Sequence, residues 1–347
     1  VKSSVDGFIA LILSFATNLD HLDYNLYTES GTPIALKVMA RSLQTPSAST
    51  TSASSTTTHA FSKLRHLSIV STNETTIPIA PTLETLKICE SDCVTLTGPS
   101  GYHGALKLHT LDVKNSSLMW DKLLEVVRAG HLAEVAEIRL AGVSYESALG
   151  LVIDQNPLVE ALAAHMPKLE HLEWDCLDDD RQLTLTDLSG LTGVTILRIE
   201  LRLVSTKLHF LDPERSTALL PPNLHALNVS SMSLTDLDRA LRKLSEGERA
   251  SFVRSVVDLT ARFPLRSLSM NIGPSSFSAK MSRGTLSLLQ DVADSLHTMG
   301  THFALYKIHW EEDGPSMLVG RRAEFVSETV ELYDHNVNES WGYVVST

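Results

Sequence analysis

Leu169-Glu170-His171-Leu172-Glu173-Trp174 reads L-x-x-L-x-L, with Trp in the last apolar place. The phrase recurs along the chain as Leu19-Leu22-Tyr24, Leu64-Leu67-Ile69, Leu83-Leu86-Ile88, Leu108-Leu111-Val113 and Val135-Ile138-Leu140. Beyond Trp174 it continues as Val194-Leu197-Ile199, Leu224-Leu227-Val229, Leu265-Leu268-Met270 and Leu305-Ile308-Trp310. From Leu64 to Leu305 there are 241 residues over eight steps, about 30 per step, a period that belongs to stacked repeats. Successive side chains of a strand point to opposite faces, so the second and third apolar places of each phrase share one face. That face is the expected core of a repeat array, because one unit alone buries too little to be stable.

Between the phrases the sequence carries helix punctuation. Asp121 to Ala129 is a helical run stopped by Gly130. Asn156-Pro157 reads as an N-cap followed by a proline in the first turn of a helix that ends before Pro167. Ser245-Glu246-Gly247-Glu248 is a capping box that opens a helix reaching Arg262. Thr285 to Met299 forms another, closed by Gly300. Pro81, Pro167, Pro222 and Pro264 each precede the first apolar residue of a phrase by one or two places, where proline stops a helix and extends the chain. The expected unit is a strand, a turn and a helix on the return leg.

Four regions follow. Residues 1–43 hold the first visible repeat, expected to be truncated at its start because the apolar run Phe8 to Phe15 has no polar cap before it. Residues 44–60 are almost entirely Ser, Thr, Ala and Pro and read as a flexible insertion. Residues 61–310 carry irregular repeats, and 311–347 read as a C-terminal cap with strands at Ala323 to Tyr333 and Trp341 to Val345.

Composition narrows the function. The formal charge is −12, from 29 basic and 41 acidic residues, which opposes binding to nucleic acid or to an anionic membrane. The apolar run at Phe8 falls short of the ~20 residues a membrane span needs. Three cysteines, Cys89, Cys93 and Cys176, make no disulfide framework and point to a reducing, cytoplasmic or nuclear setting. Asn-x-Ser/Thr sequons occur at Asn73, Asn115, Asn228 and Asn338, with Asn228 inside an expected strand. No G-x-S-x-G, G-K-[ST] or H-E-x-x-H signature is present, so the chain is expected not to be an enzyme; a hydrolase with dispersed residues is the distant alternative.

The ten phrases with intervening helices resemble the leucine-rich-repeat family. The resemblance implies an α/β solenoid, a horseshoe with a parallel sheet on its concave side and helices on the convex side. The family's asparagine, three places after the last apolar position, is replaced here, for example by Ser91, Ser116 and Val143. In texture, Phe61-Ser62-Lys63-Leu64-Arg65-His66-Leu67 and Met166-Pro167-Lys168-Leu169-Glu170-His171-Leu172 resemble fungal F-box proteins with degenerate leucine-rich repeats. In those proteins an N-terminal F-box recruits the ubiquitin-ligase core and the repeats hold the substrate. No F-box is recognisable in this chain.

The x positions flanking the apolar places are expected to face solvent. In the middle repeats they are Glu137 and Arg139, then His171, Glu173 and Asp175, then Arg198 and Glu200. They are expected to form one charged patch that docks a protein partner with a basic or mixed-charge segment. The competing view is a face whose charges pair with each other across strands. His171, Glu173 and Asp175 alternate on one strand without a second histidine in place, so neither a metal nor a cofactor is expected. His21, His66 and His309 hold equivalent outward places in repeats expected to lie too far apart to converge.

Overall fold

The computed structural model describes residues 18–26, 36–38, 63–71, 74–99, 104–146, 155–176, 187–200, 219–232, 234–272, 282–307, 316–319, 329–331 and 342–344. The Ser/Thr/Ala/Pro-rich stretch 44–60 and the apolar run Phe8 to Phe15 lie outside these residues. The chain divides into two compact units, Val1–Leu183 and Thr184–Thr347.

In the first unit, β1 (His21–Leu26), β2 (His66–Ser71), β4 (Thr85–Cys89), β6 (Thr110–Lys114), β8 (Glu137–Glu146) and β9 (His171–Cys176) lie side by side, all parallel. The phrases set the register. Leu22, Leu67, Leu86, Leu111, Ile138 and Leu172 form one continuous column, and Tyr24, Ile69, Ile88, Val113, Leu140 and Trp174 form the next. From Leu67 onward both columns are buried, as are the first-place residues Leu64, Leu83, Leu108, Val135 and Leu169. Each such side chain stabilises the fold by ~1.5–3 kcal/mol relative to exposure. The column ends on an aromatic cluster. Trp120 meets Tyr145 edge-on at 5.0 Å, and Trp174 lies 6.1 Å from Trp120 and 6.5 Å from Tyr145, within the range where such pairs attract beyond their area.

One backbone device repeats at every step. The carbonyl just before a strand accepts two successive N–H groups from the next rung. Asp20 O takes Arg65 and His66, Arg65 O takes Glu84 and Thr85, and Glu84 O takes His109 and Thr110. His109 O and Ala136 O do the same for the following two rungs. The strand entrances are thereby satisfied without side chains.

The return leg departs from the expected helix. In the early repeats it is a second strand: β3 (Glu74–Pro78), β5 (Cys93–Thr97) and β7 (Ser117–Met119) pair in parallel, and β7 also pairs with the far end of β8. The reason is length. The step from Leu64 to Leu83 is 19 residues, too few for a strand, two corners and a packed helix. Only α1 (Trp120–Arg128) and α2 (Asn156–His165) supply longer helical returns in this unit among the described residues. Helix α1 is closed by Gly130 at φ +72°, as its sequence implies. Helix α2 begins one residue earlier than expected: Gln155, not Asn156, is the N-cap, and it makes no side-chain cap bond.

The corner between the two legs has its own chemistry. Glu90, Asn115 and Gly142 sit two places after the last apolar residue of successive phrases, with φ of +57°, +47° and +60°. That left-handed turn is natural for Gly and tolerated by Asn, and it costs Glu90 some strain. The next position holds buried Ser91 and Ser116. Ser91 N–H donates to Ser116 Oγ at 3.0 Å, and Ser116 Oγ donates to Lys114 O at 2.7 Å. These serines satisfy the corner backbone at the place where the asparagine pattern is missing.

In the second unit, β10 (Ile196–Glu200), β11 (Ala226–Met232), β12 (Ser267–Ile272) and β13 (His302–Lys307) are parallel, and β14 (Ser316–Val319) adds antiparallel to β13. Leu197, Leu227, Leu268 and Phe303 form one column, and Ile199, Val229, Met270 and Leu305 the other. The last phrase is therefore Phe303 and Leu305, not Leu305-Ile308-Trp310; Leu305 fills the third place, and β13 ends at Lys307. Helices α3 (Leu234–Arg242), α4 (Glu246–Arg262) and α5 (Arg283–Thr298) occupy the return legs. The capping box at Ser245 has both of its bonds, and α4 ends at Arg262. Ser282 caps α5 by accepting from Thr285 N–H. Within the C-terminal region, β15 (Thr329–Glu331) pairs antiparallel with β16 (Gly342–Val344). Each unit is thus α/β with an open, repeat-built parallel sheet, a solenoid-like arrangement. No helix among the described residues is long and apolar enough to cross a membrane.

Candidate functional site

The outer strand face of the first unit is set by the same register that builds its core. One row runs His21, His66, Thr85, Thr110, Glu137, His171, and the next Asp23, Ser68, Lys87, Asp112, Arg139, Glu173. In the second row, charge alternates in sign from Lys87 to Glu173 across four neighbouring strands. Parallel strands ~4.8 Å apart bring such side chains into contact.

Exposure falls along this face. His21 and Asp23 on β1 are exposed, with side chains 57% and 59% accessible. His66, Ser68, Thr85 and Lys87 are intermediate. At the far end Asp112, His171 and Glu173 are buried, with only 2%, 7% and 2% accessible. The expectation of a uniformly solvated charged face is corrected here: side chains on adjacent rungs lie against each other and shut out water.

The buried end is an ion network. His171 Nδ1 donates to Glu137 Oε1 at 2.7 Å, across the β8–β9 pair. Arg139 reaches the same oxygen through Nη2 at 2.6 Å and Nε at 2.8 Å. Thr110 Oγ1 lies 3.5 Å from the other oxygen of Glu137, and Lys114 Nζ lies 3.4 Å from Asp112 Oδ2. Burial opposes ionisation of Glu137, but the His171 hydrogen bond and the charge of Arg139 outweigh it and bring its pKa down to about 2. Asp112 goes the other way. Its burial pushes the carboxyl up despite Lys114 and Arg139 nearby. Burial works against the Arg139 cation too, and the carboxylates of Glu137 and Asp112 reverse that and raise its pKa. The Nε2 of His171 and the Oδ1 of Asp112 are buried without a hydrogen-bond partner, which marks this end of the row as costly to assemble.

Of the seven residues singled out from sequence, Glu137, Arg139, His171 and Glu173 come together on β8 and β9. Asp175 lies on β9 within the stretch where the register with β8 shifts, between Trp174 and Cys176. Arg198 belongs to the second unit, in register with Asn228, Ser269 and Ala304, and it is 5% accessible rather than solvent-facing. Glu200 pairs with Ser230 along β10 and β11. Asn228 donates to Ser269 Oγ at 2.5 Å, so this sequon asparagine is engaged in the sheet. The members that sequence reasoning passed over are Thr110, Asp112 and Lys114. They hold the flanking places of the Leu108 phrase and so carried the same signal as the residues chosen.

The described polar cluster is an ion-paired strand face, and among the described residues no group of three or more His, Cys, Asp or Glu side chains could hold a metal ion. Comparison of the chain with protein-family models, curated proteins and solved structures finds no match.

Proposed function

We propose that this chain is a non-catalytic protein-binding repeat domain of the leucine-rich-repeat kind, and that the outer strand face of its first unit receives a protein partner. The observation that carries the reading is the register of that face. Polar and charged side chains are held on neighbouring parallel strands by a rigid core, open at the β1–β4 end and locked by ion pairs at the β8–β9 end. Repeat arrays use such surfaces for extended contacts, with charge providing specificity and on-rate. The partner is a protein segment of basic or mixed charge, in keeping with the net charge of −12. In the most specific form of this reading the domain is the substrate receptor of an F-box-type ubiquitin ligase; a scaffold outside ubiquitin chemistry is the alternative. The repeat texture supports the first, and co-purification separates them.

The test is affinity capture with the full chain, followed by the double substitution Ser68→Lys with Thr85→Lys, which puts positive charge where a basic segment would dock. Both residues lie on the half-open part of the face, so folding should be retained. A partner captured by the wild type and lost by the double variant supports the reading. Capture that survives unchanged would remove this face as the docking surface. Ligase-core subunits in the captured set favour the receptor form.

A further inference from the structure

Among the described residues the phrase Arg-x-x-Ser occurs three times, at Arg65-His66-Leu67-Ser68, Arg242-Lys243-Leu244-Ser245 and Arg266-Ser267-Leu268-Ser269. A basic residue three places before a hydroxyl is a charge pattern by which one class of protein kinases selects substrates. The fold separates the three phrases. Ser68 lies on β2, whose backbone pairs with β1 on one side and β4 on the other. Ser269 is buried on β12, between β11 and β13. A strand hydrogen-bonded on both sides cannot be laid into an enzyme groove. The remaining phrase carries a second cation, Lys243, and joins α3 to α4. Arg242, Lys243 and Ser245 are exposed, and Ser245 has extended backbone, with φ −64° and ψ 166°.

We propose that Ser245 is a phosphorylation site for a basic-directed serine/threonine kinase, with a nucleoside triphosphate as the phosphoryl donor. Ser245 Oγ attacks the γ-phosphorus. The new O–P bond replaces the bond to the β–γ bridging oxygen, the nucleoside diphosphate leaves, and the hydroxyl proton passes to the kinase's general base. Arg242 and Lys243 supply the charge that an acidic recognition pocket reads. The modification changes contacts already in place. Ser245 O–H and N–H both donate to Glu248 Oε2, at 2.6 Å and 2.7 Å, and Ser245 Oγ accepts from Glu248 N–H at 3.4 Å. Phosphate replaces that O–H donor with about −1.5 to −2 charge at pH 7. The Glu248 carboxylate is therefore driven off, and the reciprocal half of the capping box is lost. Arg242, Lys243, Glu246 and Glu248 balance one another, so the added phosphate turns this connector net negative. Ser245 belongs to the second unit, so the site stands or falls independently of the docking face of the first.

The folded full chain is incubated with magnesium ATP and the catalytic subunit of cyclic-AMP-dependent protein kinase, and its phosphates are mapped by mass spectrometry. The expected result is near-stoichiometric phosphate on Ser245, at a rate lowered about tenfold or more in Arg242→Ala with Lys243→Ala. Ser245→Asn keeps a side-chain N-cap but has no hydroxyl, so it should melt like the wild type and take no phosphate at this position. Amide exchange at Ser245 should quicken about threefold or more on phosphorylation, because its N–H loses the Glu248 carboxylate. No phosphate on Ser245 of the folded chain, or phosphate there only after denaturation, would overturn the site. A rate unchanged by the double alanine substitution would do the same. Unchanged exchange at Ser245 in the phosphorylated chain would overturn the release of Glu248.

Discussion

Glu137 and His171 are register partners on adjacent parallel strands, and the imidazole Nδ1–H donates to the carboxylate over 2.7 Å. The pair comes from two phrases far apart in sequence and is made by the same stacking that lines up Ile138 with Leu172 on the other face. Core and surface are therefore one construction.

The first prediction concerns pH. The Glu137 carboxyl has a folded pKa of about 2, below its ordinary value of 4.5. Its contribution to stability is therefore fully present above pH 4.5 and is lost as pH falls toward 2. The shift converts to on the order of 2 kcal/mol at neutral pH once its partial exposure is allowed for. Glu137→Gln should lower stability by about that amount at pH 7, and the difference should shrink to a small fraction of it as pH falls to about 2. Denaturant melts of both proteins across this range measure it. Asp112, pushed up by burial, works in the opposite sense and loses stability as pH rises through its ionisation, so the difference between variant and wild type isolates Glu137.

Trp174 is fully buried and closes the aromatic cluster with Trp120 and Tyr145. Trp174→Ala should cost about 3–5 kcal/mol. Chemical denaturation of the purified variant gives the number. Leu172→Asp places a charge in the neighbouring column and should prevent the first unit from folding.

Ser116 holds the corner by accepting from Ser91 N–H and donating to Lys114 O. Ser116→Ala strands a buried amide and should cost about 1–3 kcal/mol. Ser116→Thr, which retains the hydroxyl, should recover part of it. Amide exchange at Ser91 reports the corner directly: faster exchange in the alanine variant is the expected outcome.

Gly98 lies against the ring of His131. A Cβ at Gly98 would come within 2.4 Å of His131 Cδ2 and 2.5 Å of Nε2. Gly98→Ala should therefore destabilise by about 1–3 kcal/mol. Adding His131→Ala should restore some of the loss, because the obstructing ring is gone, although the ring's hydrogen bond to Gly104 O goes with it. A double-mutant cycle by thermal melting measures the coupling.

The sequence disclosed the core directly, since Leu111-Asp112-Val113 and its counterparts must place their apolar residues on one side of a strand. It also disclosed the ends of α1 and α4, because Gly130 and the Ser245 box are local signals. The return legs were harder. Thr75, Ile77 and Ile79 alternate like a strand, but the helical pattern of the longer repeats masks the 19-residue one. The final phrase misled because Leu305-Ile308-Trp310 matches the pattern as well as Phe303 and Leu305 do; only the pairing with β12 decides between them. Burial of Glu173 and Arg198 could not be read from alternation, which gives a side chain's direction and not what lies over it. His21 and His66, expected to lie apart, are register partners with ring centroids 5.7 Å apart, because consecutive phrases become adjacent strands whatever the length of chain between them.

Cross-strand cysteine pairing on the outer face of the first unit tests the account at its root. In a background with Cys89, Cys93 and Cys176 replaced by serine, Asp23→Cys with Ser68→Cys should form a disulfide rapidly on mild oxidation, because the two positions are register partners on neighbouring strands. Asp23→Cys with Thr76→Cys, which sets the second cysteine on the return-leg sheet, should not. Rapid closure of the second pair, or none of the first, would contradict the stacked register from which both the core and the proposed binding face are built.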